Sequence, residues 1–151
     1  MSKAGIFIGI VIVGSLGAFG FKLMNPPAPV GHSMEQPDLG TIKEGEQIVQ
    51  VALPSALSDD AELGKRFFEA KCAACHGANA AGKKGTAPPL VHKIYEPSHH
   101  SDVSFVLAAQ NGVRAHHWKF GNMPKIEGIT KGEVMLVTKY VRELQRANGI
   151  N

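Results

Sequence analysis

The sequence predicts an all-α domain behind a single transmembrane helix. Three observations point there: an uncharged apolar run over residues 4–21, helix-period apolar positions behind good N-terminal caps in the second half, and intervening stretches broken by many of the 17 Gly and 9 Pro. The 151 residues leave room for one small domain with appendages, and a net charge of +3 is too mild to signal nucleic-acid binding.

The first element is the run Ala4 to Phe21, 18 residues between Lys3 and Lys22. As a helix it spans roughly 27 Å, close to the hydrocarbon thickness of a bilayer. A cleaved signal peptide ending near Ala18-Phe19-Gly20 is the competing reading, but the run is long for such a segment. An uncleaved anchor over residues 1–23 is therefore expected, its basic N-terminus on the cytoplasmic side. Gly5, Gly9 and Gly17 share one row of that helix and would admit a neighbouring transmembrane helix, although Gly is common in membrane helices anyway.

Residues 24–57 read as a flexible acidic linker, interrupted by Pro26, Pro27, Pro29, Pro37 and Pro54. Such a linker has a reach of roughly 30 Å. Packing of part of it, around Gln47 to Leu53, on the domain is the alternative. The folded domain occupies residues 58–151.

Asp59 and Glu62 are spaced as an N-terminal cap pair, and Leu63, Gly64, Phe67 and Phe68 make one apolar face of the helix that follows. This helix leads directly into Cys72-Ala73-Ala74-Cys75-His76, the only C-x-x-C-H in the chain. The spacing is that of covalent c-type haem attachment. Two thiols three positions apart can add to the two vinyl groups of one porphyrin, and the adjacent His76 is then placed as an axial ligand to the iron. A structural zinc site would need a second pair of ligands, a thioredoxin-like pair would sit near a βαβ pattern, and a plain disulfide leaves His76 without a purpose. A buried porphyrin would also supply apolar surface that so small a domain lacks.

Further along, Asp102 to Asn111 reads as an amphipathic helix capped by Asp102 and ended by Gly112. The last helix is expected from about Lys131 to Ala147, behind a Thr130–Glu133 capping box, with Val134, Val137, Val141 and Leu144 on its apolar face. His99-His100 and His116-His117 are adjacent pairs whose members should point to different sides, so they read as exposed loop residues. Metal binding or haem ligation is the alternative for them.

Gly64-x-x-x-Phe68-x-x-x-Cys72, the C-x-x-C-H motif, Ala87-Pro88-Pro89-Leu90, Gly121-Asn122-Met123-Pro124 and the final helix together resemble the class I cytochromes c over roughly Asp59 to Ala147. The resemblance implies N- and C-terminal helices that cross near Gly64, with short helices and loops around one haem and Val137 and Tyr140 as the matching pair on the last helix. It implies one covalent haem c held by Cys72 and Cys75, with His76 and Met123 as iron ligands. The carbonyl of Pro88 would accept a hydrogen bond from His76 Nδ1, and Leu90 would lie on the haem face. His116 and His117 are near enough in sequence to compete with Met123. Trp118 matches no fixed family position; its indole N–H is a candidate for a haem propionate, a partly exposed aromatic being the alternative. The chain departs from the mitochondrial form in the short, His-rich stretch before Met123.

A His/Met pair leaves no open iron position, which suits electron transfer and not bond chemistry. The resemblance with the anchor therefore implies a membrane-tethered one-electron carrier, not an enzyme, in a bacterial inner membrane with its haem domain in the periplasm. Its partners would be membrane redox complexes: a quinol-oxidising complex or dehydrogenase on one side, and a terminal oxidase or photosynthetic reaction centre on the other. The alternative is a fixed haem c subunit of a multisubunit membrane oxidoreductase. A haem enzyme or gas sensor would require an open sixth position. Lys83, Lys84, Lys119 and Lys125 lie in loops near the haem segments and are expected to steer an acidic partner.

Overall fold

Ser58 begins the ordered helical part: its hydroxyl accepts from the Ala61 N–H, and its own N–H and hydroxyl donate to the Glu143 carboxylate. The computed structural model of the protein describes residues 35–151. Four α-helices follow: α1 (Asp59–Lys71), the single turn α2 (Ala73–His76), α3 (Asp102–Asn111) and α4 (Lys131–Ala147). Short 3₁₀ turns at Ala78–Ala80 and Lys93–Tyr95 lie in the connections. There is no β-strand among the described residues, only isolated bridges pairing Lys83 with Ala87 and Val113 with Met123.

The cap of α1 is Ser58, not the expected Asp59, which with Asp60 and Glu62 lies in the first turn, where negative charge opposes the helix dipole favourably. Its buried face is Ala61, Gly64 and Phe68. Leu63, expected on that face, is exposed, because the contact stripe follows the crossing with α4 and not simple apolarity.

That crossing is set by Gly64. A Cβ there would come within 2.0 Å of the Leu136 carbonyl oxygen and 3.1 Å of the Val137 nitrogen, so α1 and α4 touch backbone to backbone. Val137, Tyr140, Val141 and Leu144 of α4 pack with Phe68 and Ala61 in the main core, and the Phe68 and Tyr140 rings lie 5.6 Å apart. The full capping box forms at Thr130–Glu133, and α4 has the expected bounds.

α4 also buries a polar row that its sequence places beside the apolar face: Thr138, Arg142 and Gln145. This second side faces α3 and the loop before it. Arg142 donates to the Asp102 carboxylate (2.9 Å), the Tyr95 carbonyl (2.6 Å), Gln145 Oε1 and the His100 carbonyl, and its guanidinium lies over the Phe105 ring. Gln145 Nε2 donates to the carbonyls of Leu90 and Tyr95. One helix thus holds the chain on both flanks of the space between α1 and α3. α3 keeps the expected bounds, but its N-cap is Ser101; Asp102 serves Arg142 instead, and Val103 and Leu107 are exposed.

The expectation of a flexible linker over residues 24–57 does not hold from Gly45 onward. Gly45 and Glu46 exchange backbone hydrogen bonds with Lys84, Ile48 and Val49 both donate to the Ala81 carbonyl, and Ala52 forms a two-bond pair with the Asn148 side chain. Ile48 is buried. An extended strap of this kind needs no periodic pattern, since its anchors are main-chain groups and one apolar side chain. The expected anchor, with Gly5, Gly9 and Gly17, and residues 24–34 of the linker lie outside the described residues. Among the described residues, no helix is long and apolar enough to cross a membrane.

Candidate functional site

Cys72 ends α1 and opens α2 with a break in backbone direction, its N–H still bonded to the Phe68 carbonyl. The Cys72 carbonyl then accepts from the N–H groups of both Cys75 and His76, so the motif is one closed helical turn. Residues at i, i+3 and i+4 share a helix face. Both thiols and the imidazole are accordingly delivered to one wall of a single cleft of about 520 Å³, within the ~300–1,000 Å³ usual for cofactor sites. The thiols are free; burial, with Cys75 beside it, pushes the Cys72 thiol up to about 11.

His76 is 9 % exposed, and its Nδ1 lies 2.9 Å from the Pro88 carbonyl. A carbonyl can only accept, so Nδ1 carries the proton and Nε2 keeps its lone pair. Burial lowers the His76 pKa, with the Pro88 bond opposing it in part, and the ring stays neutral. This pairing depends on a tight turn. The Gly82 N–H donates to the His76 carbonyl (2.7 Å), and a Cβ on Gly82, whose φ is +75°, would meet the Pro89 nitrogen at 2.4 Å. Pro88 and Leu90 both line the cleft.

Met123 lines the same cleft from the segment after α3. Its N–H and carbonyl both pair with Val113 at 2.9 Å, and the Asn122 side chain accepts from the Ala115 N–H. Loop 113–123 is therefore closed at its base, with His116, His117 and Trp118 towards its tip. The structure thus brings all six sequence-derived site residues, Cys72, Cys75, His76, Pro88, Leu90 and Met123, to one cleft.

Trp118 is buried, not partly exposed, and also lines the cleft. Its Nε1–H lies near enough to Tyr95 to oppose slightly the rise that burial imposes on that phenol. It has no hydrogen-bonding geometry to any described residue. An unpaired buried donor costs about 1–3 kcal/mol, which a carboxylate on a bound group would recover. Two thiols on one helical face, a neutral imidazole with its outer nitrogen fixed, a thioether and an orphaned N–H fit a haem.

The expectation that the paired histidines are exposed loop residues holds for His99 and His116, while His100 and His117 are half-buried and the rings do not point apart. Both pairs lie in bends, where side-chain alternation does not apply, and ring centroids 4.7 Å apart for His99–His100 and 5.3 Å for His99–His117 and His100–His117 bring them together. His100 and His117 are half-buried, and burial with the neighbouring imidazoles lowers both pKa values. Of the four lysines expected to steer a partner, Lys84 is engaged by the Ile42 carbonyl and Glu44, Lys125 by Glu127, and Lys83 by the Ala74 carbonyl. Sequence reasoning missed the Arg142–Gln145 network behind the cleft; Arg142 sits four residues after Thr138 on a helix, which signals nothing by itself.

No curated protein matches the chain significantly. The sequence model of the family described as cytochrome c matches residues 61–145, more than half of the chain, from the first turn of α1 to near the end of α4. With covalently bound haem c as that family's cofactor and Cys72 and Cys75 as the only two cysteines, the chain belongs to the cytochrome c family of haem-based electron carriers.

Proposed function

We propose that this protein is a membrane-tethered one-electron carrier whose haem is held through Cys72 and Cys75 and ligated by His76 and Met123. When bound, haem supplies an iron that exchanges one electron at a time. The chain's own work is positional. Pro88 fixes the His76 tautomer and raises its basicity as a ligand. The Val113 pair fixes the backbone that carries Met123, and Leu90 keeps water from the cleft wall. The observation that carries this reading is the convergence of His76, with Nδ1 committed to Pro88, and Met123 on one cleft.

The donor in this reading is a quinol-oxidising complex or dehydrogenase, and the acceptor a terminal oxidase or photosynthetic reaction centre. The site of action is the periplasmic face of a bacterial inner membrane. A second reading, a fixed haem c subunit of one membrane oxidoreductase, draws support from the strap. With Gly45 to Ser58 bound along the domain, less chain is left to act as a tether.

Met123→Ala in the full-length holoprotein tests the ligand assignment. The weak long-wavelength sulfur-to-iron band of the ferric protein should vanish, the potential should fall, and the reduced protein should bind carbon monoxide. Retention of both band and potential would place the ligand elsewhere. Co-purification of a stoichiometric membrane complex in mild detergent would favour the subunit reading over the shuttle.

A further inference from the structure

The His99, His100 and His117 side chains each offer a ring nitrogen, and these three nitrogens lie within 4.8 Å of one another. Nitrogens bound tetrahedrally to zinc at about 2.0–2.1 Å are about 3.4 Å apart, so closure needs a shift of an ångström or so. His99 is exposed, so solvent and not packed core borders the ring that must shift.

His100 is built as a ligand. Its N–H and that of His99 both donate to the Glu96 carbonyl, its own carbonyl accepts from Arg142, and its Nδ1 donates to the Ile94 carbonyl at 2.5 Å. The last bond fixes the tautomer and leaves Nε2 with its lone pair, the outer-shell arrangement usual for metal-binding histidine. His117 is held by its backbone, its carbonyl accepting from the Gln36 side chain. His116 lies tilted beside it, ring centroids 4.2 Å apart, but turns its Nδ1 to the Arg114 carbonyl.

We propose that His99, His100 and His117 form a three-imidazole site for a divalent ion of the zinc class, and that the ion clamps the tip of loop 113–123 to the segment before α3. Three neutral nitrogen donors and no carboxylate select a borderline ion such as Zn²⁺ over Mg²⁺ or Ca²⁺, which require oxygen ligands. A fourth position remains for water. The consequence is local: loop 113–123 carries Trp118 at its tip and Met123 at its base, so a bound ion stiffens a cleft wall otherwise closed by the Val113 pair and the Asn122–Ala115 bond. His100 and His117 also line the cleft of His76 and Met123, but the ion takes neither proposed iron ligand, and its test reads differently.

The experiment is calorimetric titration of ZnCl₂ into untagged, full-length ferric holoprotein in detergent, repeated for His99→Ala, His117→Ala and His116→Ala. One Zn²⁺ per chain is expected, weakened at least about tenfold by His99→Ala and by His117→Ala, and much less by His116→Ala. An unchanged haem spectrum in each variant shows that folding and iron ligation survive. Zn²⁺ should also slow amide exchange over Ala115 to Phe120. Absence of saturable Zn²⁺ binding, or binding that both His99→Ala and His117→Ala leave intact, overturns the site. Binding without slower exchange overturns the clamp. If Zn²⁺ shifts the haem spectrum by displacing an iron ligand, the proposal also fails.

Discussion

The two walls of the cleft are built on different principles. The wall with Cys72, Cys75 and His76 is the continuation of α1, braced by α4 through backbone contact at Gly64 and by the Gly82–Pro89 contact behind the motif. The wall with Met123 and Trp118 is a loop, closed by one pair of backbone hydrogen bonds and one Asn122 contact, and its His117 ring meets the His100 ring of the segment that Arg142 holds. A helical wall resists displacement because many buried contacts must yield together; a loop wall opens at the cost of a few. The attachment side should therefore fail only with global unfolding, and the Met123 side should loosen first.

The severest way to break this contrast is Gly64→Ala. A methyl 2.0 Å from the Leu136 carbonyl cannot be absorbed by a side-chain rotation, so the helices must separate. We expect a loss of at least about 3 kcal/mol, seen as a large drop in the thermal midpoint and poor recovery of haem-containing protein. A stability within 1 kcal/mol of wild type, on the order of a surface substitution, would show that the crossing is not the brace of the attachment wall.

Arg142→Ala sharpens the contrast from the other side. It leaves the His100 carbonyl and the Asp102 carboxylate without their guanidinium, and removes one of two donors to the Tyr95 carbonyl. The expected cost is about 3 kcal/mol, that of breaking hydrogen bonds to a buried charge. Amide exchange should rise over Tyr95 to Asp102 while Cys72 to His76 stay protected. Equal loosening of both segments would contradict the independence of the two walls.

The same contrast explains what could be read from the chain. The attachment motif, the Thr130–Glu133 box and the bounds of α3 and α4 were legible, because each rests on residues a turn apart. The close approach at Gly64 was implied only by the family resemblance that Gly64, Phe68 and Cys72 carry. Choices between adjacent capping residues were not legible: Ser58 wins over Asp59 because Glu143, 85 positions away, holds it. The strap over Gly45 to Ser58, the burial of Arg142 and Gln145, and the gathering of His99, His100 and His117 all depend on partners distant in sequence. Residues whose role depends on tertiary neighbours have no local period to betray them. Several of them lie on the loop side of the cleft, where His100 was read as exposed and Trp118 was left open between a buried and a partly exposed position.

The smallest effect tests where the loop wall meets the helix. Glu133 accepts from both the N–H and the hydroxyl of Thr130, and these bonds pull its carboxyl below the usual value of 4.5. A carboxylate with a depressed folded-state pKa stabilises the fold above its unfolded value, and that contribution disappears as pH falls through the folded one. Glu133 is partly solvent-accessible, so the effect is confined to the cap and screened by salt. Below about pH 4.5, wild type should progressively lose its advantage over Glu133→Gln in urea unfolding, and the two should converge at the acid end. The loss should be local as well. The box fixes where the chain from Met123 enters α4, so amide exchange at Ile126 to Val134 should quicken on acidification before any change at Cys72 to His76. A pH-independent difference between wild type and Glu133→Gln would mean that the box is not titrating. Quickening at the attachment motif first would mean that the more fragile wall is the helical one.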